Sequence, residues 1–208
     1  MSNSMQHMNG DQLCVIQIVP TGDTPDWHEI QQLCILPLTS IYLPRKDVLP
    51  FYVTIKPNFP ERIEAKGKPA RLKMAELALK GFDSAQAIDL FYGWFDKLDL
   101  KCNKYGNQRK LVPLGYEYHT TKEYLINWLG QSVYDIYFYP EFRDIRTTAA
   151  YLNDRAAEFA ETIPFPKTNL RYIASSLKLD LTGAKDLLLE SLWVSRIYKK
   201  MVSQGLLF

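Results

Sequence analysis

Leu13-Cys14-Val15-Ile16-Gln17-Ile18-Val19 is an apolar, largely β-branched run, followed at once by Pro20-Thr21-Gly22-Asp23 and Pro25-Asp26. A second run, Ile30-Gln31-Gln32-Leu33-Cys34-Ile35-Leu36-Pro37-Leu38, begins shortly after. Two such runs separated by Gly, Pro and Asp read as paired strands. The first is apolar enough to lie inside a sheet with both faces covered. No acidic residue stands between Leu13 and Gly22, and that absence governs the functional reading.

Working outward, Ile41-Tyr42-Leu43 leads through Pro44-Arg45-Lys46-Asp47 to Phe51-Tyr52-Val53-Thr54-Ile55, a third strand closed by Lys56-Pro57. The three form an antiparallel meander, with Pro37 and Pro50 marking edges or bulges. Pro69 to Leu79 reads as a short helix ending before Gly81. Asp83 or Ser84 then caps a longer helix whose Ala87, Ile88, Phe91, Trp94, Phe95 and Leu98 fall at helical spacing. Asp99 to Lys110 is a polar loop, and Leu111 to Tyr116 a short strand running into a helix from about Thr120 to Gly130. Tyr134 to Pro140 reads as extended or irregular. Arg143 opens a helix to about Phe159, and Thr168 or Asn169 caps another through Leu177. A last helix covers about Gly183 to Ser203. Strands first, then helices alternating with one or two more strands, predict an α/β layered domain on a mixed sheet.

A chain of 208 residues suffices for one well-buried domain, expected over 12–208 behind a flexible polar tail, 1–11. A net charge of +2 and a pI near 8.3 neither demand nor exclude a nucleic-acid partner. Cys14, Cys34 and Cys102 are too few and too scattered for a disulfide framework or a zinc site. Cys14 and Cys34, inside strands, read as small buried hydrophobes. The tail has no apolar core of a signal peptide, and no run approaches the roughly 18 apolar residues of a membrane span. A cytoplasmic, membrane-free protein is the expectation.

The order of these signals resembles the DnaQ-like 3′–5′ exonucleases of the ribonuclease H-like superfamily, whose metal site is a DEDD set of carboxylates. Thr21-Gly22 after an apolar strand resembles the end of the family's D-x-E-T-T-G, and Glu29-Ile30-Gln31-Gln32-Leu33 its second strand, I-E-I-x-x-V. Phe51 to Pro57 resembles a third strand ending in N-P, and Gly81-Phe82 the G-I segment before the next helix. Leu114-Gly115-Tyr116-Glu117-Tyr118-His119-Thr120-Thr121-Lys122-Glu123-Tyr124-Leu125 resembles G-H-N-x-x-F-D-x-x-F-L. Arg143-Asp144-Ile145-Arg146-Thr147 resembles the D-T-L helix start, Asn169-Leu170 to Leu179 the K-L-x-x-L…L-G-I helix, and Thr182-Gly183-Ala184 with the final helix H-x-A-x-x-D-A. The resemblance covers nearly the whole chain after residue 11 and rests on many weak signals in order. It implies a mixed central sheet with three antiparallel N-terminal strands flanked by helices.

The departures are systematic. In this register the first Asp falls on Gln17, the Glu on Val19, the second Asp on Thr121, the general-base His on Thr182 and the last Asp on Leu187. Two-metal phosphodiester hydrolysis needs hard oxygen ligands holding two Mg²⁺ about 4 Å apart, and the ions repel by about 17 kcal/mol at an effective dielectric near 20. The expectation is therefore no metal and no nuclease activity by this mechanism. A relocated site, with Mg²⁺ or Mn²⁺ on Asp186, Glu190 or Asp144, is the alternative; a one-residue shift on a helix turns a side chain by about 100°.

Two basic stretches could track a single strand: Lys66, Lys68 and Arg71, then Lys101, Lys104 and Arg109, with Tyr116, Tyr118 and His119 beside them for stacking or contact. Interleaved acids make a merely solvated surface equally natural. His28, a lone loop histidine, reads first as a packing residue, as does His119, and Cys102 reads as a bystander. The cluster Tyr134, Tyr137, Phe138, Tyr139 and Phe142 reads as core or partner surface. The leading reading is a catalytically inactive exonuclease-like domain that binds single-stranded nucleic acid or a replication or repair protein. An active nuclease with relocated ligands and a pure protein-interaction module are the rivals.

Overall fold

The structure, a computed structural model, describes residues 10–64, 76, 79–100, 102, 105–181 and 186–203. Strands β1 (Gln12–Pro20), β2 (Ile30–Pro37), β3 (Phe51–Thr54), β4 (Leu111–Gly115) and β5 (Arg143–Asp144) form one sheet in the order β3-β2-β1-β4-β5. β1, β2 and β3 pair antiparallel, while β4 lies parallel to both β1 and β5. The sheet is thus mixed, with β1 at its centre. Leu13 to Ile16 are fully buried there because helices cover both faces.

Alternation along β1 divides the core. Cys14 and Ile16 face α1 (Ser84–Asp96), α2 (Tyr118–Leu129) and α3 (Gln131–Tyr137). Leu13 and Val15 face α4 (Ile145–Glu158), α5 (Leu170–Ser176) and α6 (Leu187–Ser203). Helix starts follow the caps. Asp83 opens α1, its N–H donating to Gln86 Oε1 at 3.1 Å, and Asn169 Oδ1 accepts from Tyr172 N–H at 2.9 Å to open α5.

Two expectations are corrected. Tyr134 to Pro140 is not extended throughout: α3 ends at Tyr137, and Tyr134 and Phe138 stack at 4.8 Å inside the core. Tyr134 on the helix and Phe138 at its C-cap bring their rings together, and that burial outweighs the strand preference of aromatics. Arg143-Asp144 is a short strand before α4, too brief to show an alternation. The helix expected at Pro69 to Leu79, most of the tail 1–11, and the start of the last helix at Gly183 lie outside or largely outside the described residues. Among the described residues, no helix is long and apolar enough to cross a membrane.

Candidate functional site

In open α/β sheets, ligands gather beyond the carboxyl ends of the parallel strands. Here those ends are Pro20-Thr21-Gly22 after β1, Gly115-Tyr116 after β4 and Asp144 at the end of β5. The loop after β1 is firmly built. Thr21 N–H donates to Glu29 O at 2.8 Å, its hydroxyl accepts from Glu29 N–H at 2.9 Å, and its own carbonyl accepts from Glu64 N–H at 2.7 Å. Tyr124 Oη donates to Gly22 O at 2.5 Å, and Asn127 Nδ2 to Pro25 O at 2.9 Å, tying α2 to the loop. His28 is buried, its Nδ1 accepting from Thr24 N–H at 3.1 Å and its Nε2 lying 3.5 Å from Glu64 Oε1. A Cβ on Gly22 would come within 2.3 Å of His28 Nε2, so the T-G pair lets the imidazole pack beneath the turn.

The first-strand positions continue the α6-facing side of β1: Gln17 and Val19 follow Leu13 and Val15. Gln17 pairs with Cys34 and Cys34 with Tyr52; Val19 pairs with Gln32 and Gln32 with Thr54. These side chains thus form two rows across three strands, polar except at Val19. Gln32 Nε2 donates to Tyr52 Oη at 3.1 Å and Thr54 Oγ1 at 3.4 Å. The start of α6 lies over the rows: Ser191 hydrogen-bonds the Cys34 thiol and donates its hydroxyl to Leu187 O at 2.9 Å. Burial pushes the Cys34 thiol up to about 11, the Ser191 bond pulls it back in part, and the negative charge of Asp186 adds to the rise. Gln17 Nε2 is buried with no hydrogen-bond partner. Leu187 is 3% exposed, an apolar plug at the start of α6.

Gln17 and Val19 therefore lie on the sheet face that α6 covers, and Leu187 is buried at the start of that helix. Thr121 is buried on α2 beside Tyr118 and Leu125, whose cluster faces α1, and Thr182 lies outside the described residues. Among the relocated candidates, Asp144 is consumed by structure: Oδ2 accepts from Tyr118 N–H at 2.6 Å and Oδ1 from Thr147 N–H at 2.9 Å. Asp186 is exposed and accepts from Leu189 N–H at 2.8 Å, and Glu190 is exposed one turn along. Among the described residues, no three His, Cys, Asp or Glu side chains gather as a metal set.

The nucleic-acid candidates scatter. Lys66, Lys68, Arg71, Lys101 and Lys104 lie outside the described residues. Arg109 precedes β4 and donates to Gly10 O at 3.0 Å, at the amino end of β1 and β4, so it does not flank the carboxyl-end cleft as expected. Tyr118 is fully buried, its hydroxyl 3.1 Å from that of Tyr134, which withdraws its ring from any base. A Cβ on Gly115 would lie 2.9 Å from Tyr118 Cβ, so the glycine makes room for that burial. Tyr116 is half-buried with its hydroxyl on Thr168 O at 3.1 Å, and His119 is exposed on the first turn of α2.

Sequence reasoning missed a second cluster beside the β1–β2 loop. The Arg62 guanidinium lies 4.0 Å from the Trp27 ring centre and 3.8 Å from that of Phe59. Glu29 sets that geometry, its carboxylate accepting from Asn58 Nδ2 at 2.7 Å and Phe59 N–H at 3.0 Å. Both rings stay about half exposed. The signal in the sequence was two aromatics and an arginine among turn residues, without the spacing that would pair them.

No protein-family model matches the sequence, and no curated protein does. Solved structures do. Exonuclease I has a TM-score of 0.63 at 15% identity, over 94% of this chain and 42% of that one. E. coli exonuclease I in complex with a dT13 oligonucleotide has 0.63 at 14%, over the same shares. A 3′-exonuclease with 3′-end specific recognition of a histone mRNA stem-loop has 0.63 at 16%, over 94% of this chain and 64% of that one. The chain spans about two-fifths of the exonuclease I chains it resembles. From β1 to α6, it carries the ribonuclease H-like fold of the exonucleases.

Proposed function

We propose that this chain is a non-catalytic domain of exonuclease fold that acts by binding single-stranded nucleic acid in a replication or repair setting in the cytoplasm. The observation that carries the reading is the donor set on the α6 side of β1: an amide at Gln17, apolar groups at Val19 and Leu187, and a thiol at Cys34. These do not fit a pair of magnesium ions. Hard divalent cations take anionic oxygens, and only carboxylates offset the mutual repulsion of two such ions. The buried, unpartnered Gln17 Nε2 points the same way, because an amide hydrogen repels a cation. Binding is favoured by the half-exposed Trp27 and Phe59 with Arg62 between them, a surface of the kind on which bases stack. The nucleic acids named with two of the solved neighbours support the same ligand class.

The decisive experiment incubates an end-labelled single strand with the protein and Mg²⁺ or Mn²⁺, and follows binding by fluorescence anisotropy across a salt series. We expect no shortening, together with affinity that falls steeply with salt, as phosphate contacts require. Metal-dependent 3′ shortening, lost in Asp186→Ala or Glu190→Ala, would overturn the reading in favour of relocated ligands. Absence of binding at low salt would leave a protein partner.

A further inference from the structure

β3 is one of the two edge strands of the sheet, and among the described residues only Phe82 pairs along its outer side. Ile55 N–H donates to Gln31 O across the sheet, whereas Phe82 N–H donates to Thr54 O and Lys56 N–H to Phe82 O on the outer side. By that alternation the N–H and C=O of Tyr52 and the N–H of Thr54 point outward, and no backbone group among the described residues takes them. Pro50, lacking an N–H, closes this window at one end, and Phe82 closes it at the other. Alongside lies a trough of about 600 Å³ between the edge and α1, lined by Phe51, Val53, Phe82, Leu90 and Trp94. Phe82 and Leu90 are 47% and 44% exposed, far more than residues of a closed core. Gly93 forms part of the wall, and a Cβ there would meet nothing within 4 Å.

The rim is charged with a direction. Asp89, Gly93 and Lys97 follow at intervals of four, so an acid and a base stand about 12 Å apart on one stripe of α1. Trp94 Nε1 donates to Leu49 O at 2.8 Å, which sets the Lys97 end of the helix beside the start of β3. We propose that this edge receives an extended peptide of another protein as a sixth strand, antiparallel to β3, carrying an apolar–any–apolar triplet followed by an acidic group. The middle residue pairs with Tyr52 and points away from the trough; its two neighbours, opposite Val53 and Phe51, point into it. The peptide's carboxyl side then reaches Lys97, and a basic residue on its amino side reaches Asp89. A second copy of this chain fits less well, because its own Phe51 and Val53 are buried in its own core and have nothing to place in the trough. The groove lies on the α1 side, so this inference does not rest on the reading of Gln17 and Leu187.

The test selects a displayed library of short random peptides against the full chain, then titrates the recovered sequences and maps amide hydrogen exchange. We expect an apolar–any–apolar–acidic pattern and slowed exchange at the Tyr52 and Thr54 amides. Gly93→Leu fills the trough from a helix surface with open space and should weaken binding about ten-fold or more, while Lys97→Glu should reverse the preferred charge. Tyr52→Pro removes an outward N–H and should abolish binding; if it fails to fold, Gly93→Leu decides alone. Selected peptides without a shared pattern, or affinity unchanged by Gly93→Leu in a protein that melts normally, would overturn the proposal. So would protection of the same amides by an oligo-dT strand alone or by self-association at rising protein concentration.

Discussion

The two faces of β1 differ in what they demand of their neighbours. Toward α1, Cys14 and Ile16 enter an aromatic core in which Phe91 stacks on Phe138 at 5.9 Å and meets Phe51 and Tyr137 edge-on. Toward α6, Leu13 and Val15 are core residues too. Two residues further on the same face turns polar, with Gln17 unpartnered at Nε2 and Cys34 held by Ser191. Volume decides the first face and hydrogen-bond satisfaction the second. The unmet buried donor of Gln17 sits toward the carboxyl end of β1, where ligands gather in open α/β sheets.

The largest effect should come from the aromatic face. Phe91→Ala opens a cavity among rings and should cost about 3–5 kcal/mol in denaturant unfolding; a loss below about 1 kcal/mol would show that the core repacks freely. Next comes Asp144→Ala, which strands the buried Tyr118 N–H and uncaps α4, for a loss of about 2–3 kcal/mol. If Asp144 instead served a metal, added Mg²⁺ would raise the melting temperature of the parent and not of the variant.

Alkaline pH probes the α6 face. The Cys34 thiol rises from 9.0 unfolded to about 11 folded, so its neutral form is favoured by the fold. That contribution is intact below pH 9 and fades as pH climbs toward about 11, by an amount on the order of 2 kcal/mol. Cys34→Ala should flatten this part of the pH–stability curve, and an unchanged curve would place the loss in other groups. Gln17→Leu removes the unmet donor and should be neutral or stabilise by about 1 kcal/mol. A loss larger than that would mean Nε2 has a partner in solution. The smallest effect belongs to the trough wall, where Gly93→Ala should add about 0.5–1 kcal/mol by helix preference alone.

Much of this was legible in the chain. The β1 run with its T-G turn, the Asp83 cap and the spacing of Phe91, Trp94 and Phe95 each follow from local rules, and all three appear in place. Tyr134 to Tyr137 was not legible as helix, because what holds it is Phe91, more than forty positions away in sequence. For the candidate site, the resemblance sets Gln17, Val19 and Leu187 where the family has carboxylates, and the structure adds that Gln17 and Val19 share the face of β1 that α6 covers. What surrounds them was not legible, since Cys34, Gln32 and Tyr52 join Gln17 only through the register of three strands.

The sequence by itself determined the chemistry of Gln17, Val19 and Leu187, because side-chain chemistry is local: an amide and two apolar groups have no anionic oxygen in any fold. It also determined the order of most strands and helices, Gln131–Tyr137 and Arg143–Asp144 excepted, through apolar periods that a chain carries within itself. The tertiary structure alone decided that Tyr118 is hidden, that Asp144 is a cap, that Arg109 stands at the far end of the sheet, and that β3 is an edge strand. Each depends on which distant segment arrives beside it, and burial and pairing are properties of that arrival rather than of the residue.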